Sequence, residues 1–306
     1  MSVVTPPPRR SPHRDWTLSG TARRSGAPLS DVTPFVESAL FLATALAYLG
    51  ACALFLAYLA DERYARAGKL APAFVGGGAA LHAAHICVSS FAWHICPVTG
   101  IHFAMSIVSM LACVVYLAMR RRYRIDVVGA FVAPLALTFL LASRFVGTAV
   151  GEPSPRMKST IIPVHVAVNL LGDALFTLAF AAAVAYLVQE RRLKEKRLGG
   201  VFTRMPPLDA LDRAEHRFLL AGFPLLTVGI LTGTLWARHV EAGSAADVAR
   251  AVLGYATWLV FAGVLLLRAA AGWRGRRAAY GTIAGFGAAV LVLVVYLVRD
   301  SGWVTY

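Results

Sequence analysis

The chain has 306 residues, of which 58% are hydrophobic and only 15% are charged, and its mean hydropathy is +0.64. This composition excludes an ordinary soluble domain and predicts an integral membrane protein. The formal net charge of +14 invites a nucleic-acid role, but the basic residues fall mainly between long apolar runs, so we expect no nucleic-acid partner.

Residues 1–32 precede the apolar runs and are rich in Pro, Ser and Arg. This composition is typical of a disordered tail. The segment also lacks the short apolar core and small-residue cleavage site of a secretory signal. We therefore expect a basic, disordered tail at 1–32 and a transmembrane domain at 33–306.

Long apolar stretches separated by short connections make up the remainder. A hydrocarbon core of about 30 Å needs roughly 20 helical residues to cross it, because backbone groups there must be satisfied within the helix. The sequence therefore predicts an all-α, polytopic bundle of about eight transmembrane helices in a lipid bilayer. We place these helices near 34–60, 70–92, 102–119, 125–143, 163–189, 216–236, 248–268 and 280–298.

The basic residues divide unequally between alternate connections. Those after helices one, three, five and seven hold most of the Lys and Arg, and cytoplasmic loops are the ones enriched in these residues. We therefore expect the basic loops to be cytoplasmic and both termini to be outside, in a bacterial cytoplasmic (inner) membrane. The arginines of the tail are the exception to this pattern. The opposite-side connections hold only Arg144, Arg156, Lys158, Arg238, Arg250 and Arg299.

Several histidines fall at or beyond the predicted mid-membrane level on the outer side. His82 and His85 are three residues apart, so they share one face of the second helix. His239 follows the sixth helix at the outer surface. Ionisable groups in membrane helices usually face a cavity or a partner, and a hydrogen bond to a neighbouring helix is the alternative for His82 and His85. For His239 the alternative is a polar residue that contacts headgroups and water at the membrane interface.

His165 is the leading candidate because it opens the fifth helix and is followed by Asn169 and Asp173 at i+4 and i+8. The three polar side chains therefore line one stripe of an apolar helix. A carboxylate about two turns below the surface is costly unless it meets a partner or water. The stripe predicts a binding site, and a polar seam between helices remains the alternative.

Motifs of common enzymes are absent. The cysteines form no CxxC pair and no CxxCH heme-attachment motif, so the chain is not itself a c-type cytochrome. There is no phosphate-binding glycine loop, nucleophile elbow or HExxH helix. No independent catalytic set is recognised.

The chain resembles bacterial cytochrome c assembly proteins of the CcsA, HemX and YpjD type, which handle heme and have about eight transmembrane helices. The segments that carry the resemblance are RYR at 122–124, GAFVAPLA at 129–136, VHV at 164–166, MPPL at 205–208, GFPLLT at 222–227 followed by Gly229 and Gly233, and GWRGRRAA at 272–279.

In that family, outer-face histidines hold heme next to a tryptophan-rich loop that ends in Trp-Asp, and His165 matches the histidine ahead of that loop. The chain departs from the pattern because residues 236–244 read WARHVEAGS and lack the Trp-Asp signature. The membrane histidine near the end of helix seven and the last outer histidine are also missing. The resemblance therefore implies a divergent member, at most a component of a heme-attachment system.

The resemblance implies heme b as the cofactor, and other cytochrome c assembly subunits as partners. Heme iron accepts neutral imidazoles as axial ligands, so we expect His165 and His239 to hold one iron. A second site would use His85 or His82. The heme propionates would need basic partners, and the outer candidates are Arg144, Arg156, Lys158 and Arg238.

Two other functions remain open at this level. The stripe of Asn169 and Asp173 is also compatible with a secondary transporter for a small solute, although no inverted repeat is visible. The basic loops are compatible with a non-catalytic membrane regulator or scaffold of tetrapyrrole or cytochrome biogenesis.

Overall fold

The computed structural model of the chain describes residues 29–92, 101–123, 126–145, 161–196, 204–237 and 245–300. In these ranges the chain contains no strand, and eight helices are long and apolar enough to cross a membrane, as predicted. The helices are α1 (Leu29–Ala60), α2 (Ala67–Ala92), α3 (Ile101–Tyr123), α4 (Gly129–Phe145), α5 (Ile161–Lys194), α6 (Leu208–Ala237), α7 (Ala245–Ala270) and α8 (Arg276–Asp300). Short 3₁₀ turns at Glu62–Tyr64 and Asp126–Val128 precede α2 and α4.

The largest difference from the predicted boundaries is the start of the sixth helix, which begins at Leu208 rather than near 216. Two prolines, Pro206 and Pro207, immediately precede it, and Asp209 lies in its first turn, where a negative charge favours the helix dipole. Charged residues in the first two turns lower the local hydropathy, which is why the apolar pattern starts later than the helix.

Helix α5 is the centre of the bundle, because it packs against α6, α8, α3 and α4. Its buried face is rich in small residues, which allow neighbouring backbones to approach closely. These include Ala174, Ala179, Ala181, Ala182, Ala183 and Ala185. Helices α1 and α2, α3 and α4, and α7 and α8 pair as neighbours in sequence. Exposed leucines on α1 and α7, such as Leu42, Leu46 and Leu259, are suited to contact lipid.

The alternation of the helices gives the bundle two distinct ends. The connections α1–α2, α3–α4, α5–α6 and α7–α8 lie at one end, which we call the basic-loop end. Helices α5 and α6 run antiparallel, since Phe176 lies against Gly222 while Asn169 lies against Gly229. His165 therefore lies near the opposite end, where α5 begins.

Candidate functional site

The imidazole of His165 is held against α6. Its Nδ1 lies 2.9 Å from the backbone carbonyl of Gly229 and 3.1 Å from the hydroxyl of Thr232. A carbonyl can only accept, so the 2.9 Å contact assigns the proton to Nδ1. The lone pair of the neutral ring is therefore on Nε2, the nitrogen that remains for a metal.

The glycines of α6 make room for the polar stripe of α5. A Cβ at Gly229 would overlap the side-chain amide of Asn169, and a Cβ at Gly233 would lie 2.8 Å from Cε1 of His165. The Asn169 amide donates to the carbonyl of His165 at 2.8 Å and lies 3.3 Å from its Nε2. The two glycines thus do more than permit a close helix crossing, because they accommodate the two side chains of the predicted site.

Asp173 occupies the next turn of the same helix and is half-buried. Its backbone carbonyl accepts from Thr177 at 2.8 Å. Within the part of the chain that the structure describes, no donor is seen for its carboxylate. The contacts therefore bring His165 and Asn169 together against α6, and they do not join Asp173 to that pair.

His82 lies in a different part of the bundle, fully buried among α1, α2 and α3. Its Nδ1 is 3.2 Å from the hydroxyl of Tyr48, and its Nε2 is 2.7 Å from the hydroxyl of Ser106. Both ring nitrogens are occupied, so His82 would have to break one of these bonds before it could bind a metal.

His85 is less constrained than His82. Its ring centroid lies 6.4 Å from that of His82 and 5.6 Å from that of Phe41. Its Nδ1 is buried without a hydrogen-bond partner among the described residues. Arg144, predicted as a propionate partner, lies over the Phe41 ring and 4.0 Å from Glu37. This side of the bundle therefore combines an unpaired imidazole nitrogen with a nearby arginine.

A His82→Ala substitution should lower stability without affecting the heme binding that the sequence predicts. It leaves the buried hydroxyls of Tyr48 and Ser106 without their partner, which costs about 1–3 kcal/mol. Thermal unfolding and the absorption spectrum of the detergent-purified variant measure the two effects. Thr138→Ala is the control, because that exposed hydroxyl bonds only within its own helix. Loss of the heme spectrum at unchanged stability would instead make His82 a ligand.

Other predicted site residues lie outside the described residues. These are His239, Arg156, Lys158 and Arg238. The pairing of His165 with His239 therefore stays a prediction.

The structure also contains a polar cluster that the sequence did not predict, at the basic-loop end. Asp212 on α6 accepts from Arg268 on α7 at 2.5 Å and from the backbone amide of Gly275 at 2.7 Å. One turn further along α6, Glu215 accepts from Thr282 on α8 at 2.6 Å. The cluster was missed because these acidic residues precede the predicted start of the helix. Their spacing of three residues was the only available indication that they share a helix face.

Comparisons with known proteins support the same family as the sequence motifs. The family model described as "Cytochrome C assembly protein" matches residues 95–303, which include α3 to α8 and His165 but exclude His82 and His85. The chain is 27% identical over 236 residues to the cytochrome c biogenesis protein CcsA of Heterosigma akashiwo, covering 66% of this chain and 72% of that protein.

Two further relatives show similar coverage. CcsA of Synechococcus elongatus is 26% identical over 246 residues, covering 66% of this chain and 75% of that protein. A 28.8 kDa protein in the nifR3-like 5' region of Azospirillum brasilense is 31% identical over 216 residues, covering 67% of this chain and 71% of that protein. Together with the family model, these matches show that the chain belongs to the cytochrome c assembly protein family.

Proposed function

We propose that this multi-pass membrane protein handles heme in cytochrome c biogenesis and binds heme b through Nε2 of His165. Family membership supports the first part of this proposal. The observation that carries the second part is the hydrogen bond between Nδ1 of His165 and the Gly229 carbonyl. Heme iron accepts a neutral imidazole as an axial ligand, and bound heme is the cargo for transfer to a cytochrome.

The residues around His165 fit such a ligand. A metal-binding histidine usually donates its other ring N–H to a carbonyl or carboxylate, which fixes the tautomer and raises the basicity of the coordinating nitrogen. The Gly229 carbonyl occupies that position on α6. The shortest contact of the Asn169 amide is its hydrogen bond to the backbone carbonyl of His165. The amide can therefore move away from Nε2 of His165 and keep that bond.

His239 would supply a second ligand. It comes after Gly229 and Gly233 in the sequence, just beyond the end of α6. An additional heme position would use His85, whose unpaired Nδ1 and neighbouring Arg144 could meet iron and a propionate. The latter position lies outside the region matched by the family model. We therefore rank His165 ahead of His85.

The distribution of basic residues supports an orientation with the basic-loop end in the cytoplasm, and thus with His165 and both termini on the outer side. In a bacterium the membrane would be the inner membrane. Other cytochrome c assembly subunits are the expected partners. With the Trp-Asp signature absent, the protein would act as one component of a heme-attachment system rather than as a complete synthase.

The absorption spectrum of the detergent-purified protein tests the proposal. We expect a Soret band that shifts on reduction, and a pyridine hemochrome characteristic of heme b. The protein should be produced with a heme supply, so that an empty site is not caused by limiting cofactor. A protein that stays free of heme after incubation with hemin would contradict the proposal.

A further inference from the structure

A cavity of about 290 Å³ opens at the basic-loop end of the bundle, where α6 begins and α7 ends. It lies far from His165, since Gly229 follows Asp212 by 17 positions along α6, a separation of about 25 Å at 1.5 Å per residue. It is lined by Asp209, Asp212, Arg213, His216, Arg268, Ala269 and Arg274.

The acidic groups of this cavity already have partners. One carboxylate oxygen of Asp212 accepts from Arg268 and the other from the Gly275 amide. Asp209 forms an ion pair with Arg213. With three arginines against these two carboxylates, the lining retains a net positive charge.

Two side-chain nitrogens of lining residues have no partner among the described residues. Arg268 donates to Asp212 through Nη2. Its buried Nη1 has no hydrogen-bond partner in the described part of the chain, although only 7% of the side chain is exposed to solvent. Nδ1 of His216 is likewise buried without a partner. A buried arginine nitrogen is costly to leave unsatisfied, so the cavity is complementary to an oxyanion.

We propose that this cavity binds the phosphate group of an anionic phospholipid. The phosphate would accept from Nη1 of Arg268, with His216 and Arg274 alongside. The cavity lies where two membrane-spanning segments end, which is the level of lipid headgroups. Leu266 and Leu267, the α7 residues just before Arg268, are exposed and provide an apolar surface for an acyl chain. Basic pockets between transmembrane helices commonly take anionic headgroups.

Lipid titration of the delipidated full-length protein, followed by native mass spectrometry, tests this site. The probes are phosphatidylglycerol, phosphatidylcholine of the same chain length, and inorganic phosphate. We expect one phosphatidylglycerol to bind at least about tenfold more tightly than phosphatidylcholine, because both lipids carry a phosphate but the arginines of the lining repel the choline cation. Equal binding of the two lipids would overturn the proposal, and so would binding of inorganic phosphate as tight as that of the lipid.

Substitutions locate the lipid site within the basic-loop end. Arg268→Gln removes the unpaired donor and should weaken phosphatidylglycerol binding about tenfold. Because Arg268 also holds Asp212, Arg274→Gln provides a second variant that keeps this contact, and we expect it to weaken binding about fivefold. Arg277→Gln is the matched control, since it is an exposed arginine near the cavity but outside its lining. If Arg274→Gln and Arg277→Gln bind the lipid equally, the cavity is not the site.

Discussion

A His165→Ala variant should purify as a folded protein that has lost its heme. The substitution removes the nitrogen that we propose as the iron ligand. Among the described residues, the hydrogen bonds of the ring that it also removes are those to Gly229, Thr232 and Asn169. Substitution of groups that only support a metal ligand typically reduces affinity 10–100-fold, so loss of the ligand itself should reduce heme affinity by about 100-fold or more. The Soret absorbance per protein, before and after hemin addition, measures the effect.

The control for this variant is His102→Ala. His102 lies in the first turn of α3, near the same end of the bundle, and its ring contacts that of Phe103 at a tilt, with 4.4 Å between ring centroids. Its removal should leave the Soret absorbance close to the wild-type value. Equal heme loss in both variants would indicate a general disturbance of this end of the bundle rather than loss of a ligand.

Gly229→Ala should disrupt the site without touching the imidazole itself. The added methyl group would overlap the Asn169 amide, and the backbone of α6 cannot retreat without moving the carbonyl that bonds His165. Overpacking of this kind costs about 1–3 kcal/mol. Since the Gly229 carbonyl fixes the tautomer, we expect heme affinity to fall about tenfold or more. Hemin titration and thermal unfolding of the purified variant measure both quantities.

Two comparisons separate this steric effect from a general loss of stability. Gly263→Ala on α7 adds a methyl group where no side chain and no other helix lies within 4 Å, so it should leave the heme affinity unchanged and should not lower the thermal stability. Combining Gly229→Ala with Asn169→Ala removes the overlapping amide, so part of the lost heme affinity should return. If the double variant loses as much heme affinity as the two single variants combined, the proposed overlap between α5 and α6 is contradicted.

The membrane-spanning fold could be predicted because it follows from one local property, the length of each apolar segment. All eight predicted spans correspond to helices of the structure. The start of α6 could not be predicted in the same way. Asp212 and Glu215 enter the bundle because Arg268 and Thr282 meet them from α7 and α8. Those partners lie more than fifty residues away, so a local hydropathy window cannot register them.

For the candidate site, the sequence predicted which residues share a helix face but not which groups they contact. The spacing of His165 and Asn169 put them on one face, and the structure brings both against α6. The partner of the imidazole is a backbone carbonyl, which no residue type in the sequence identifies. The spacing of His82 and His85 likewise gave a shared face. It did not show that Tyr48 and Ser106 occupy both nitrogens of His82, because those residues come from other helices.

Chemical rescue of a His165→Gly variant is the most direct test of whether this imidazole binds the iron. The variant should bind little heme in buffer and should recover a low-spin Soret spectrum when free imidazole is added, because the small molecule can occupy the space left by the ring. Wild-type protein should show no comparable response. A His165→Gly variant that keeps the wild-type spectrum without imidazole would contradict the assignment of His165 as a heme ligand.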